Sequence, residues 1–515
     1  MQRLTGLDAG FLYMETPTSF MHVASLIVID PSTAPDGWSF DRIRDLYTAR
    51  LDQAPPFRRR LVEVPFGLHH PIWIEDPDFD IDYHLRHIAV PAPGGLAELT
   101  ELIGHLVAIP LDRNHPLWEM WVIEGLEHGY VGLLTKVHHA AIDGASGEEL
   151  MIAILDLTPE IEDKPAPNGP WVPDKVPTDT EMVSYAMMSL AQQPVRAVKT
   201  VKRTVETALQ LRDRFAGPEL TTPKLPFSAP HTSINASLTP HRSLGLSTVS
   251  LSRVKALKNR LGCTVNDTVL ALCAGALRHY LDDIGEHPDG PLIAMVPVSV
   301  RSEEQKNTGG NQVSSAFASL ATDLDDPLER VAVIHDSMNV AKQAQQLIGA
   351  ETLQDWAEFA APAIAGRAAR MYTRMKIADR HRPLFNVTIS NVPGPPFPLY
   401  VAGAEVVSTN PIGPIFEGGA LNMTVMSYMD RLDFGLHACP ERIPNVQLIS
   451  DAIVLALEDL EAAVDARDAA EAKTAKNAKT AKTAKKKGSN GATPAEPAPP
   501  VDPGAARAAA ASRMN

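Results

Sequence analysis

At 515 residues the chain is too long for one ordinary core, and its 44% hydrophobic content is enough to fill two. Three cysteines (Cys263, Cys273 and Cys439) exclude a disulfide framework and favour a reducing cytosol. The net charge of −15 divides into +5 over 465–515, from ten Lys/Arg and five Asp/Glu, and −20 before it; such an acidic body, without a basic aromatic groove, excludes specific nucleic-acid recognition.

The first residues carry Asp8 and Glu15 where a signal peptide would need an apolar run, so none is expected. No stretch approaches 18 uninterrupted apolar residues, so no membrane span is expected. Met21 to Asp30 (MHVASLIVID) reads as a strand. Ser39 to Leu51 reads as a helix with Phe40, Ile43, Leu46 and Leu51 on its apolar side. A turn at Glu127-His128-Gly129 leads into Tyr130 to Val137, a β-branched, apolar strand.

That strand delivers His138-His139-Ala140-Ala141-Ile142-Asp143-Gly144. Side chains alternate faces along a strand, so a strand running through the pair turns the two imidazoles apart. One faces a substrate and the other is buried as an anchor. Ser146-Gly147-Glu148-Glu149 is a capping box opening a helix through Leu155, which puts the motif in a tight strand–loop–helix connection. Asp143 is too close in sequence to be a remote triad member and is expected to hold the loop. No G-x-S-x-G elbow accompanies these histidines, and no cysteine pairs with them by a known pattern. An imidazole with no enzyme nucleophile points to direct transfer. With an ordinary pKa of about 6.5 it takes a proton from a substrate hydroxyl or amine as that group attacks an activated acyl carbon.

Residues 160 to 180, rich in Pro, Asp and Glu, read as an exposed linker. Met182, Met187, Met188 and Leu190 make an adaptable apolar patch, suited to lipid or to core. Val195 to Phe215 has a narrow apolar stripe beside Arg196, Lys199, Lys202, Arg203, Arg212 and Arg214. It is either a membrane-surface helix or a linker helix with a solvated basic face. Thr264 to Leu281 reads as a helix, with Asn266 and Asp267 in its capping turn, and Leu292 to Pro297 as a strand. From Lys473 a lysine recurs every third residue before an Ala/Pro-rich end, and this tail is expected to be disordered. Cys and His spacings fit no zinc pattern, and there is no dinucleotide fingerprint or P-loop.

The histidine motif resembles that of the acyltransferase superfamily containing chloramphenicol acetyltransferase and peptide-synthetase condensation domains. The wider pattern is similar to the bacterial wax ester synthase/diacylglycerol acyltransferase family. The likeness rests on Leu7-Asp8-Ala9-Gly10-Phe11-Leu12, Met21-His22-Val23, Pro116-Leu117-Trp118, Asn266-Asp267, Pro297 to Arg301, Gly310-Asn311 and Ser390 to Pro395. In order, they span residues 1 to 462.

The resemblance implies an α/β (α+β) fold of two chloramphenicol-acetyltransferase-like domains in tandem, with the active site between them. The corresponding segments are 1–165, a linker 166–245, 246–464 and a tail 465–515. It implies His139 as general base, with His138, Asp143 and Gly144 supporting it. Pro116, Leu117, Trp118, Asn266 and Asp267 become pocket-supporting residues. Pro55 to Leu61 is similar to the condensation-domain stretch whose arginine pairs with the motif aspartate, which would set Arg58 against Asp143.

The activity implied is acyl-CoA-dependent O-acylation of diacylglycerol or a long-chain alcohol, giving triacylglycerol or wax ester, with no metal or cofactor beyond the acyl-CoA substrate. Because both substrates partition into membrane, a cytoplasmic protein peripheral to the inner membrane face or lipid droplets is expected. The alternatives are a relative using a carrier-protein thioester or glycolipid acceptor, a catalytically silent lipid-droplet-binding protein, and a condensation module. The lack of carrier or adenylation segments disfavours the last.

Overall fold

The computed structural model describes residues 2–142, 154–161, 172–190, 202, 204–206, 209, 228–299, 313–348 and 362–488. The helices used below are α1 (Gly6–Met14), α2 (Phe40–Arg50), α3 (Leu96–Val107), α4 (Asp179–Leu190), α5 (Val265–Asp283), α6 (Pro327–Ile348), α7 (Pro362–Arg374) and α8 (Gln447–Gly488). Residues Met1–Glu461 form one compact unit.

One six-stranded sheet runs in the order Tyr400–Val401, Ala404–Ile412, His22–Asp30, Val131–His138, Trp118–Glu124, Leu85–Ala89. The strands alternate, so the sheet buries both faces. Ile29, Met120, Val122, Leu133 and Val137 pack with Ile43 and Leu46 of α2. Leu26, Ile123 and Leu134 pack with Leu99, Ile103 and Leu106 of α3. Ser39 caps α2, accepting the Arg42 N–H at 3.3 Å, which starts the helix where the sequence predicts it.

The second six-stranded sheet runs Val313–Ser319, Ile293–Ser299, Val387–Val392, Leu421–Tyr428, Arg431–Ala438, Ser243–Ser250. Val387–Val392 pairs in parallel with both of its neighbours, and the other pairs are antiparallel. Helices α5 and α6 pack on each other, and α6 packs against Val313–Ser319. Gly275 lets α5 meet α8 closely, because a Cβ there would stand 2.7 Å from the Ala456 methyl. A small antiparallel sheet joins Gln2–Arg3, Ile72–Glu75 and Arg59–Val62.

The mixed α/β composition and paired sheets match the expected fold class. The sheets do not follow chain order throughout, however. The hairpin 400–412, from the second half of the sequence, completes the first sheet against His22–Asp30, with Ala24 opposite Ile412. At this crossing Gly435 lies under the Pro411 carbonyl, where a Cβ would come within 1.9 Å of the oxygen. The buried Asp433 carboxylate accepts the Thr409 N–H at 3.1 Å and the Thr248 hydroxyl at 2.7 Å, tying the sheets together.

The tail departs from expectation. It is helical through Gly488 instead of disordered from 465. Alanine and lysine are strong helix formers, and a helix already nucleated extends at little cost. The composition rules out a core but not a helix. Most of Val195 to Phe215 lies outside the described residues. Among the described residues, no helix is long and apolar enough to cross a membrane.

Candidate active site

The central strand ends at His138. Its N–H donates to the Leu117 carbonyl at 2.9 Å, and its carbonyl accepts the Ala141 N–H at 2.9 Å. Its Nδ1 accepts the Ala140 N–H at 3.0 Å, so the proton of the neutral ring sits on Nε2. That nitrogen faces Glu15 at 3.6 Å. Burial pulls the His138 pKa below its ordinary value, against the opposing pull of Glu15. His138 is therefore a neutral, buried anchor.

Burial alone would raise the pKa of Glu15, but His138 and Arg113 together hold it below the usual carboxylate value. Arg113 reaches Glu15 through Nη2 at 2.5 Å and Nε at 3.2 Å, and it also donates to the Leu12 carbonyl at 2.9 Å. The end of α1 is thus clamped to the end of the strand.

His139 lies in the turn that follows. Its N–H donates to the Met21 carbonyl at 2.8 Å. Its half-buried ring stacks on Phe11 of α1, with centroids 3.9 Å apart and planes 11° from parallel. Helix α1 is itself fixed by Thr5, whose hydroxyl accepts the Asp8 N–H at 3.2 Å and donates to the Asp8 carboxylate at 2.7 Å. Leu4, Ala9 and Leu12 pack with Leu61, Trp73, Leu111, Leu117 and the motif's Ala140. Asp143 and Gly144, and the expected capping box after them, lie outside the described residues.

Pro116-Leu117-Trp118 is brought against the histidines. Leu117 supplies the carbonyl under His138, and Trp118 pairs with Val137 in the sheet. The Trp118 indole donates to the Phe57 carbonyl at 2.9 Å. Its ring stacks between Phe57 at 4.3 Å and His84 at 4.5 Å. Arg58 follows Phe57 and pairs with Asp52 and, at 3.4 Å, with Glu75.

Asn266 and Asp267 belong to the other half. Asp267 and Thr264 form a reciprocal capping box, with Thr264 N–H to Asp267 Oδ2 at 2.9 Å and Asp267 N–H to Thr264 Oγ1 at 3.1 Å. The buried Asp267 carboxylate also meets His335 Nδ1 of α6 at 2.7 Å, and Asn266 is half-buried beside it. These contacts tie α5 to α6. Within the Ser390 to Pro395 stretch, Gly394 lies so close to Ser427 that a Cβ would come within 2.0 Å of its carbonyl oxygen.

Two family models cover most of the chain. The wax ester synthase/diacylglycerol acyltransferase catalytic domain matches residues 4–269, and the WS/DGAT C-terminal domain matches 309–461. The chain belongs to the wax ester synthase/diacylglycerol acyltransferase family. A Mycobacterium tuberculosis protein named as a diacylglycerol O-acyltransferase is 38% identical over 461 residues, covering 89% of this chain and 90% of its own. A second from that organism is 38% identical over 465 residues, covering 90% and 100%. The solved wax ester synthase/diacylglycerol acyltransferase of Marinobacter aquaeolei is 30% identical with a TM-score of 0.64, covering 90% of this chain and all of that one. The first condensation domain of the calcium-dependent antibiotic synthetase, 15% identical, shares the fold at a TM-score of 0.51, covering 89% and 96%.

This family member is an acyltransferase. Three residues that crowd its histidines escape a reading by motif: Phe11 as a ring partner, Glu15 and Arg113. Phe11 falls inside the family-like opening stretch, but no spacing connects positions 15, 113 and 138. Only the tertiary fold brings that triplet together.

Proposed function

We propose that the protein transfers a long-chain acyl group from acyl-CoA to the hydroxyl of diacylglycerol or a long-chain alcohol, with His139 as general base. The observation that supports this most is the difference between the adjacent histidines. His138 is sealed and neutral, whereas His139 stays half-buried, its backbone held by Met21 and its ring by Phe11. Such a ring is pre-positioned for proton transfer without being locked into the core.

In the proposed reaction His139 accepts the hydroxyl proton as the oxygen attacks the thioester carbonyl. The tetrahedral intermediate expels the CoA thiolate, which leaves with the proton as the free thiol. The new ester is triacylglycerol or wax ester, and no acyl-enzyme forms. Leu117 and Trp118 form the wall behind His138, and Asp143 and Gly144 are assigned a supporting role from the motif alone. Both substrates reside in lipid, so the protein works at a membrane face or droplet surface as a peripheral enzyme.

The test uses purified protein, labelled palmitoyl-CoA, and diacylglycerol and hexadecanol offered in parallel, with products separated by chromatography. Labelled triacylglycerol or wax ester is expected from the parent, and its loss in His139→Ala with an unchanged circular dichroism spectrum. Full turnover by a folded His139→Ala refutes the base assignment. Failure with acyl-CoA but turnover with an acyl carrier protein thioester refutes the donor.

A further inference from the structure

Helix α7 presents an apolar side to solvent. Its inward side is small or polar: Ala365, the buried Gly366, Ala369 and Tyr372, whose hydroxyl bonds His381 Nε2 at 2.6 Å. Ile364, Ala368, Met371 and Met375 follow spacings of four, three and four, so at 3.6 residues per turn they form one stripe directly opposite Gly366. Ile364 is 69% exposed, Met371 58% and Met375 47%. Arg367 and Arg374, both exposed, line one flank of this stripe, the exposed Arg370 lies further round with its guanidinium beside Gly366, and the exposed Lys376 follows.

Two neighbours extend the surface. The Pro65–Gly67 turn contacts both α7 and α4. At its tip Phe66 is 88% exposed, on a backbone with φ of +60°, a left-handed conformation unfavourable for a bulky residue. Helix α4 buries Met182 and Ala186 against Val64, Ile72 and Ile74, while Met187 and Met188 face outward. Of the methionine patch visible in the sequence, one member is thus core and two are surface.

We propose that α7, the Phe66 tip and the outer side of α4 form the face that docks this protein on an anionic lipid surface. Charge argues for that occupant. The chain before residue 465 carries −20 and is repelled by anionic headgroups, so a flank of arginines beside exposed Ile, Met and Phe sets both the site and the orientation of contact. Long flexible methionines suit a fluid acyl layer. Helix α7 packs on α1, whose Phe11 stacks on His139, so docking here leaves one helix between the lipid surface and the element that holds the proposed base. This placement rests on the reading of the protein as a lipid acyltransferase.

The test is co-sedimentation of the full chain with phosphatidylcholine vesicles, with and without phosphatidylglycerol. The parent is expected to pellet with the anionic vesicles. Arg367→Gln/Arg370→Gln/Arg374→Gln is expected to lose on the order of a hundredfold in partitioning. Ile364→Ser/Met371→Ser/Met375→Ser, and separately Phe66→Ser, are expected to lose binding to the anionic vesicles as well. All should keep parental turnover on substrates dispersed in non-ionic detergent. Variants that bind as the parent does overturn the proposal. So does a gel-filtration shift from dimer to monomer in the apolar triple with vesicle binding unchanged, which would make this a self-association face. A raised KM for palmitoyl-CoA in detergent, with unchanged vesicle binding, would assign the arginines to the donor and also overturn it. Patch-dependent binding without turnover on any acceptor would refute the acyltransferase reading alone, and turnover without patch-dependent binding would refute the docking face alone.

Discussion

The Glu15 carboxylate stands 3.6 Å from His138 Nε2, and Arg113 closes on its other side at 2.5 Å. Glu15 follows α1, Arg113 lies beyond α3, and His138 ends the central strand, so the contact locks three elements around the motif. Glu15→Gln keeps the shape and removes the charge. We expect stability to fall by about 1–3 kcal/mol, since a partly buried pair is left one-sided. The catalytic consequence should be a roughly tenfold lower kcat with KM changed little, because Glu15 acts through the buried His138 anchor. Urea unfolding and steady-state kinetics check both, and parental turnover by the variant would remove Glu15 from the positioning network.

The stack of Phe11 on His139 predicts a graded series. An aromatic pair contributes about 0.5–1.5 kcal/mol beyond its buried area. Phe11→Ala should release the ring, lowering kcat roughly three- to tenfold, while Phe11→Tyr keeps the stack and most of the rate. A readout beyond packing is the split between the two constants: kcat should fall in Phe11→Ala and recover in Phe11→Tyr, with KM for palmitoyl-CoA unchanged in both. An unchanged kcat in Phe11→Ala, with only the melting temperature lowered, would mean that the stack serves packing alone.

The buried histidines predict how stability responds to acid. Burial lowers His84 to about 4 and His437 to about 3, and it also depresses His22 and His138. Each ring is neutral in the folded protein, and each titrates near 6.5 once unfolded. A depressed folded pKa favours folding above the unfolded value, and the advantage is lost as pH falls from about 6.5 toward the folded pKa. His84 and His437 each contribute a slope of about 1.4 kcal/mol per pH unit in that window. Urea midpoints should therefore hold above neutrality and drop steeply by about pH 5. His437→Gln should flatten the slope by one proton, and a parent midpoint indifferent to pH over this window would contradict the argument.

What the sequence reveals about this fold is what short-range physics determines. The strand to His138, the helix after Ser39 and the capping turn at Thr264 each rest on periodicity or a cap within a few residues. The partition of the histidine pair follows from the same logic, although the strand stops at His138 and a turn carries His139. The hairpin 400–412 could not be placed that way, because its partner strand is 384 residues distant at Asn410 and Leu26 and either half could have received it. Arg113 and Glu15 are likewise ordinary surface-type residues until the fold apposes them. The Lys-rich tail shows a different failure: composition speaks to core formation, while helix formation depends on propensity and on a nucleus supplied upstream.

Asp267 separates support from chemistry in the second half. Its carboxylate caps α5 through Thr264 and meets His335 of α6, and those two contacts together hold its pKa low despite burial. Asp267→Ala removes a cap worth about 1–2 kcal/mol and the contact to the half-exposed His335, which water can replace, so a total loss of about 1–2 kcal/mol is expected. Asp267→Asn, which can still accept the Thr264 N–H, should recover roughly half of it. Because these contacts run between helices of the second half, the folded fraction of either variant should turn over within about threefold of the parent. Thermal melts and specific activity corrected for folded fraction decide the matter. A melting temperature near the parent's with activity lost a hundredfold would instead place Asp267 in contact with substrate, and helix capping would not be the reason this aspartate stands beside Asn266.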